Sequence, residues 1–157
     1  MAFGTDSKIF VSTMEDILEN TTAIDLNSDT FNVALFNDSI TTPDQTVASA
    51  NTAFGAGVWA ANEVFDGAEW PTGGQALDSV TFAPTTNVLK WDAADEVSTG
   101  TSATLADVRG CLIYNVTVNT PVDSQGICFL SFGGANSVTD GTFTVVFNAS
   151  GIFTLTL

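Results

Sequence analysis

The sequence predicts a mainly β fold: a single antiparallel β-sandwich or barrel-like domain with one or two short helices near the N-terminus. Three observations predict it. Apolar residues make up 45% of the chain and charged residues only 13%, a balance that builds a core, whereas disorder needs low hydrophobicity beside high charge. Phe, Val and Thr are abundant, and aromatic and β-branched side chains fit a pleated surface. From Trp59 onward, short alternating segments are punctuated by Gly and Pro at regular spacing, the pattern of sandwiches and barrels. A chain of 157 residues fits one domain able to bury about two thirds of its surface. No repeat or low-complexity linker divides it. The expected organisation is a single domain over 1–157, with a helical or extended N-terminal segment over 1–29 and a β core over 30–157.

Taken in order, the first element is a helix around 14–19. Ser12-x-x-Glu15 has the form of a capping box, and Met14, Ile17 and Leu18 recur at helical spacing before Asn20. Residues 21–29 are polar and turn-like. Over 30–38 the chain alternates, with Phe31, Val33 and Leu35 on one face and Asn32, Ala34 and Phe36 on the other; one face belongs in the core and the other is partly covered. Pro43-Asp44 opens a second short helix over 45–53, ended by Gly55 and Gly57. Trp70-Pro71-Thr72-Gly73-Gly74 is a compact loop, since proline fixes φ and glycine permits positive φ. Strands are expected over 76–82, 87–91, 108–114, 126–132 and 142–148. The last of these should turn at Asn148-Ala149-Ser150-Gly151 into a hairpin with the alternating Phe153, Leu155 and Leu157.

Charge excludes whole classes of function. Eighteen acidic residues face only three basic ones, Lys8, Lys90 and Arg109, for a formal net charge of −15, and there is no histidine. Nucleic-acid affinity comes largely from Lys and Arg neutralising phosphates, so no nucleic-acid partner is expected. Without histidine there is no imidazole base, no Ser-His or Cys-His pair and no His-ligated metal. No stretch approaches the roughly 18 apolar residues of a membrane span, so no membrane partner is expected. The start of the chain lacks a basic region followed by an apolar run, and no signal peptide is expected.

Residues that could carry chemistry are few. Asp92-Ala93-Ala94-Asp95-Glu96 could offer oxygens to Ca²⁺, but it lacks the alternating acidic positions, the glycine and the distant glutamate of an EF-hand loop; an acidic turn after a strand is the plainer reading. Glu63 and Glu69 flank a tryptophan-bearing loop, yet nothing in the spacing sets the separation that glycoside hydrolysis requires. Trp59, Trp70 and Trp91 suit core or interface anchors better than sugar platforms. Cys111 and Cys128 fall in expected strands; they read as small buried apolar side chains, with a strand-to-strand disulfide the alternative. Arg109 should pair with a carboxylate such as Asp107 or Asp95. The chain is expected to be no enzyme, with no catalytic residues, cofactor or metal.

Several blocks, in order, resemble a group of structural proteins of tailed-bacteriophage virions. They are Trp59-Ala60-Ala61-Asn62-Glu63-Val64, Gly67-Ala68-Glu69-Trp70-Pro71-Thr72-Gly73-Gly74-Gln75-Ala76-Leu77, Leu89-Lys90-Trp91-Asp92-Ala93-Ala94-Asp95, Ala106-Asp107-Val108-Arg109-Gly110-Cys111-Leu112-Ile113-Tyr114, and the stretch from Gly133-Gly134 to Asp140-Gly141-Thr142-Phe143. The resemblance covers the chain from about Asp29 to its end and rests on structural motifs. It implies a head- or tail-associated virion protein made in the host cytoplasm, with capsid decoration on the outer head surface the favoured role. A tail-associated or minor adhesion protein, or a carbohydrate-binding module, is the alternative. Charge favours the outside of a particle, because packaged DNA would repel a −15 subunit. The implied partners are the major capsid protein lattice or neighbouring virion proteins, and further copies of the chain in a homo-oligomer. Trp59, Phe65 and Trp70 are the candidate interface residues.

Overall fold

The structure, a computed structural model, describes residues 6–157; the first five residues of the N-terminal segment lie outside the described residues. The fold is mainly β and antiparallel, with 41% strand against 10% helix. A six-stranded sheet forms its centre. In spatial order it holds β1 (Lys8–Ile9), β9 (Gly126–Gly141), β8 (Ala103–Asn115), β2 (Phe31–Asn37) and β3 (Glu63–Val64), with β4 (Gln75–Ala76) pairing the other end of the β2 edge. A three-stranded sheet holds β11 (Phe153–Thr156), β6 (Val88–Asp92) and β5 (Thr81–Thr85), and a two-stranded one holds β10 (Thr144–Val145) and β7 (Glu96–Val97).

Both faces of the central sheet are buried, so its middle strands are near-continuously apolar. Register shows how one strand serves two cores. Val33, Ile113 and Cys128 form one cross-strand row, and Ala34, Leu112 and Phe129 the next. The first row faces the small sheets, where Trp91 meets Phe31 edge-on at 5.1 Å and leans on Phe153 at 5.2 Å. That layering is sandwich-like. The second row faces the chain between β2 and β3, where Trp59 packs against Phe36 at 5.0 Å and Phe129 at 5.3 Å. The expectation that the Ala34–Phe36 face is only partly covered is corrected, since both residues are fully buried.

The helix α1 (Val11–Leu18) begins earlier than expected. Phe10 is its N-cap with no side-chain cap bond, and Ser12 is inside the helix, its hydroxyl donating to the Val47 carbonyl at 2.7 Å; the capping box is not used. Its far end is a Schellman motif: Asn20, at φ 58°, donates to Ile17 O and Thr21 to Asp16 O. The 45–53 helix is absent. A single 3₁₀ turn, Ser49–Asn51, stands in its place, and another, Gly57–Ala60, carries Trp59. The Thr52 hydroxyl donates to Ser49 O at 2.7 Å and accepts Gly126 N–H at 3.1 Å, the kind of local side-chain bonding that competes with helix.

The strand expected over 76–82 divides into β4 and β5, while β8 and β9 run beyond their expected ends. The C-terminal hairpin is also corrected. Its turn forms, with Gly151 N–H reaching Asn148 O at 2.7 Å, but its arms part. Phe147 N–H donates to Asp95 Oδ1 at 2.9 Å beside β7, while Ile152 N–H donates to Trp91 O at 2.8 Å and β11 continues along β6. In the Trp70–Gly74 loop, Gly73 and Gly74 have φ 82° and 76°. A Cβ on Gly74 would stand 1.9 Å from Val33 O, so only glycine lets the loop lie against β2.

Candidate interaction surface

The three candidate interface residues divide. Trp59 is 1% exposed and Trp70 fully buried, so both are core residues and neither is a surface anchor. Phe65 is 52% exposed. The local geometry explains the split. Asp66 and Trp70 exchange backbone hydrogen bonds of 2.8 and 2.7 Å, closing a tight turn whose far residue points in, where Trp70 meets Phe143 edge-on at 6.0 Å. Val64 packs on the core from β3, and the next side chain, Phe65, points to the opposite side as strand alternation dictates. Trp91 is buried as well, which leaves no tryptophan face for a sugar ring.

Carboxylates fasten the loop that carries Phe65. Glu69 accepts Gly100 N–H at 2.5 Å and Ser102 Oγ–H at 3.2 Å, and its carbonyl accepts Thr99 N–H at 2.9 Å. Asp66 accepts Thr104 N–H at 2.8 Å. Glu63 accepts Gly73 N–H at 2.6 Å; burial pushes its carboxyl above the ordinary value, and this hydrogen bond partly offsets the push. Glu63 and Glu69 therefore serve two different loops and do not converge on a shared substrate position. In the 92–96 turn, Asp92 pairs with Lys90 at 2.8 Å, Asp95 holds Phe147 N–H, and Glu96 holds Asp78 N–H at 2.9 Å. Glu96 is 5% exposed. Burial raises its carboxyl above the ordinary value; the hydrogen bond from Asp78 N–H partly offsets this, and the charges of Asp78 and Asp95 add to the rise.

Arg109 pairs with Asp6 at 3.0 Å and Asp38 at 3.4 Å, not with Asp107 or Asp95. The reason is topological: β8 lies between β9 and β2, and Asp38 follows directly on β2. Lys8 reaches Asp44 at 3.7 Å, so all three cations are engaged by the chain's own carboxylates. Cys111 and Cys128 are free and buried, and burial pushes both thiols up. Among the described residues no group of His, Cys, Asp and Glu could hold a metal ion, and no helix is long and apolar enough to cross a membrane.

One feature escaped the sequence reading. Within the supposedly polar 21–29 turn, Thr22, Ile24 and Leu26 are buried while Ala23 and Asp25 are exposed. They form one wall of a cleft of about 430 Å³ that Ile17 and Phe82 complete. The period-two alternation of Thr22, Ile24 and Leu26 was the signal, masked by Asp25 between them and the polar residues on either side. Comparison with known proteins matches no family model, no curated protein and no solved structure.

Proposed function

We propose that this chain is a structural subunit of a tailed-bacteriophage virion, and within it a capsid decoration protein on the outer head surface. The observation that carries the reading is the use of the ionic side chains. The carboxylates flanking the aromatic loop hold backbone N–H groups, and the three cations are ion-paired internally. What this leaves at the surface is excess negative charge and isolated apolar side chains such as Phe65. That is a surface for staying dispersed and for contact with other chains. The resemblance of the blocks between Trp59 and Phe143 to virion proteins supports the same reading, and like-charge repulsion from packaged DNA favours the outside of the head.

Attachment to the lattice rests on apolar contact. An exposed ion pair contributes roughly 0 to 1 kcal/mol and is screened by salt, whereas burying one aromatic side chain contributes roughly 1.5 to 3 kcal/mol and is not. Phe65, on its fastened loop, is the anchor. The test is the density and copy number of this chain in purified virions, followed by its retention across a NaCl series. Hundreds of copies on the head, retained in high salt and lost in Phe65→Ser, are expected. A handful of copies at the tail would replace decoration by the tail reading, and absence from the particle would end both.

A further inference from the structure

We propose that the free edge of β11 is a self-association surface, on which a second copy of this chain pairs its own β11 antiparallel about a two-fold axis at Leu155. The contact lies on a different sheet from the β3 strand that leads to Phe65, and it does not depend on where the chain resides.

The two edges of the three-stranded sheet differ. Along β5 the outward main chain is closed: Phe82 N–H donates to Asn27 Oδ1 at 3.1 Å, and two residues on, on the same side, Pro84 has no N–H to offer. Along β11 the outward main chain is open. Leu157 N–H donates to Asn87 O at 2.9 Å, in line with the register that pairs Phe153 with Trp91 and Thr156 with Val88. Hydrogen-bonded pairs alternate along an antiparallel ladder, so Leu155 also bonds β6, while Thr154 and Thr156 turn their N–H and C=O to the free side. Both threonines are exposed, β11 has β6 as its one strand neighbour, and among the described residues no side chain bonds to either main chain. Folded proteins guard such an edge with charge or proline; β11 carries neither.

What the edge lacks selects its partner. Residues 141–157 contain no Asp, Glu, Lys or Arg, in a chain of net charge −15. A basic segment would find no carboxylate on this strand to hold it, whereas two copies of an acidic chain can meet here without setting carboxylate against carboxylate. The strand also fits itself. With Leu155 on the axis, Thr154 exchanges both main-chain bonds with Thr156 of the second copy. Leu155 then meets its own counterpart, and Leu157, 85% exposed, comes opposite Phe153 of the second copy. Apolar and Thr–Thr cross-strand pairs of this kind stabilise antiparallel sheets. Because β5 is closed, the sheet grows at one edge only, and the assembly ends at a dimer instead of continuing as a fibre.

The test is sedimentation of the isolated full chain over a concentration series, with hydrogen exchange of its amides. A species at twice the 16.4 kDa of one chain is expected, with the amides of Thr154 and Thr156 growing more protected as concentration rises. NaCl should strengthen the association, since it screens the repulsion between two acidic copies. Thr154→Pro, which removes an outward N–H, should weaken it about tenfold or more, and Phe65→Ser should leave it unchanged. Thermal melts report whether a variant folds. Where Thr154→Pro does not, two double variants at the same exposed positions decide. Thr154→Glu with Thr156→Glu, and Thr154→Lys with Thr156→Lys, each set like charges opposite one another and should be monomeric, but the two mixed should form a heterodimer. A monomer at every concentration, a dimer whose threonine amides stay unprotected, a dimer that folded Thr154→Pro or the charged variants leave intact, or charged variants that do not pair on mixing overturns the proposal. A monomeric chain found on virions loses this proposal alone; a dimeric chain absent from them loses the virion reading alone.

Discussion

On one face of the central sheet, Trp91 lies between Phe31 and Phe153 and donates its indole N–H to Leu26 O at 2.8 Å. On the other, Trp59 lies among Phe10, Phe36 and Phe129, and its indole N–H has no hydrogen-bond partner among the described residues. The first tryptophan belongs to a strand and is held by a ladder on both sides. The second sits on a 3₁₀ turn within a long irregular segment. Two cores of similar apolar character are thus closed by different means, one by hydrogen-bonded strands and the other by side-chain packing with scattered loop contacts. Burial alone does not make the two regions equivalent: the cover held by fewer backbone bonds is the one expected to open first.

The largest effects should come from the tryptophans. Trp91→Ala and Trp59→Ala should each cost about 3 to 5 kcal/mol in denaturant unfolding. Trp91→Ala should loosen the whole molecule in hydrogen exchange, whereas Trp59→Ala should loosen residues 40–60 first. Trp59→Phe should cost less than Trp91→Phe, because only Trp91 leaves a bare carbonyl behind. Equal costs and equal exchange patterns would break the comparison. Next in size is Glu69→Ala, which strips Gly100 N–H and Ser102 of their charged acceptor. It should cost about 1.5 to 3 kcal/mol and release 99–102 in hydrogen exchange while leaving 40–60 protected.

A pH series sharpens the same contrast, because the raised carboxyl of Glu96 belongs to the strand-covered side. A carboxyl raised in the folded state favours its neutral form there. Its stabilising effect is full below the unfolded value of 4.5 and lost as pH rises through the folded value. Glu63 has the same sign. Asp16 has the opposite one: burial works against its charge, but hydrogen bonds from Ser49, Gln125 and Thr21 outweigh it and hold the carboxyl below 3.8, so its contribution is lost only in stronger acid. Tm should therefore increase as pH falls from 8 toward the unfolded value of 4.5, and Glu96→Gln should flatten part of that rise. An unchanged slope in the variant would remove Glu96 from the account. The smallest effect belongs to Phe65→Ser, expected within about 0.5 kcal/mol of wild type in isolation, with its consequence seen on particles alone.

Much of the central sheet was legible residue by residue. The alternation of Phe31, Val33 and Leu35 against Ala34 and Phe36 matches the two cores, and the apolar runs at 108–114 and 126–132 lie within β8 and β9. The candidate site was less legible. Phe65 and Trp70 stand five positions apart with the same aromatic promise, and only the backbone exchange between Asp66 and Trp70 sends one outward and the other in. Arg109 was read against its sequence neighbours, while its partners Asp6 and Asp38 are brought to it by the chain's return along the sheet.

By itself the sequence determined the class of fold, the turn at Gly73-Gly74 and the absence of imidazole chemistry, because composition, φ preference and period-two alternation are local properties. Tertiary structure alone decided pairing. The arms on either side of the 148–151 turn alternate as a hairpin should, yet β10 goes to β7 and β11 to β6. Alternation states only that a strand has two unlike faces; which ladder it joins depends on the partners that distant segments offer. The same holds for Thr22, Ile24 and Leu26, whose alternation is visible in the chain. Whether such a segment enters a sheet or lines an open groove is set by what packs beside it, here α1 and Phe82.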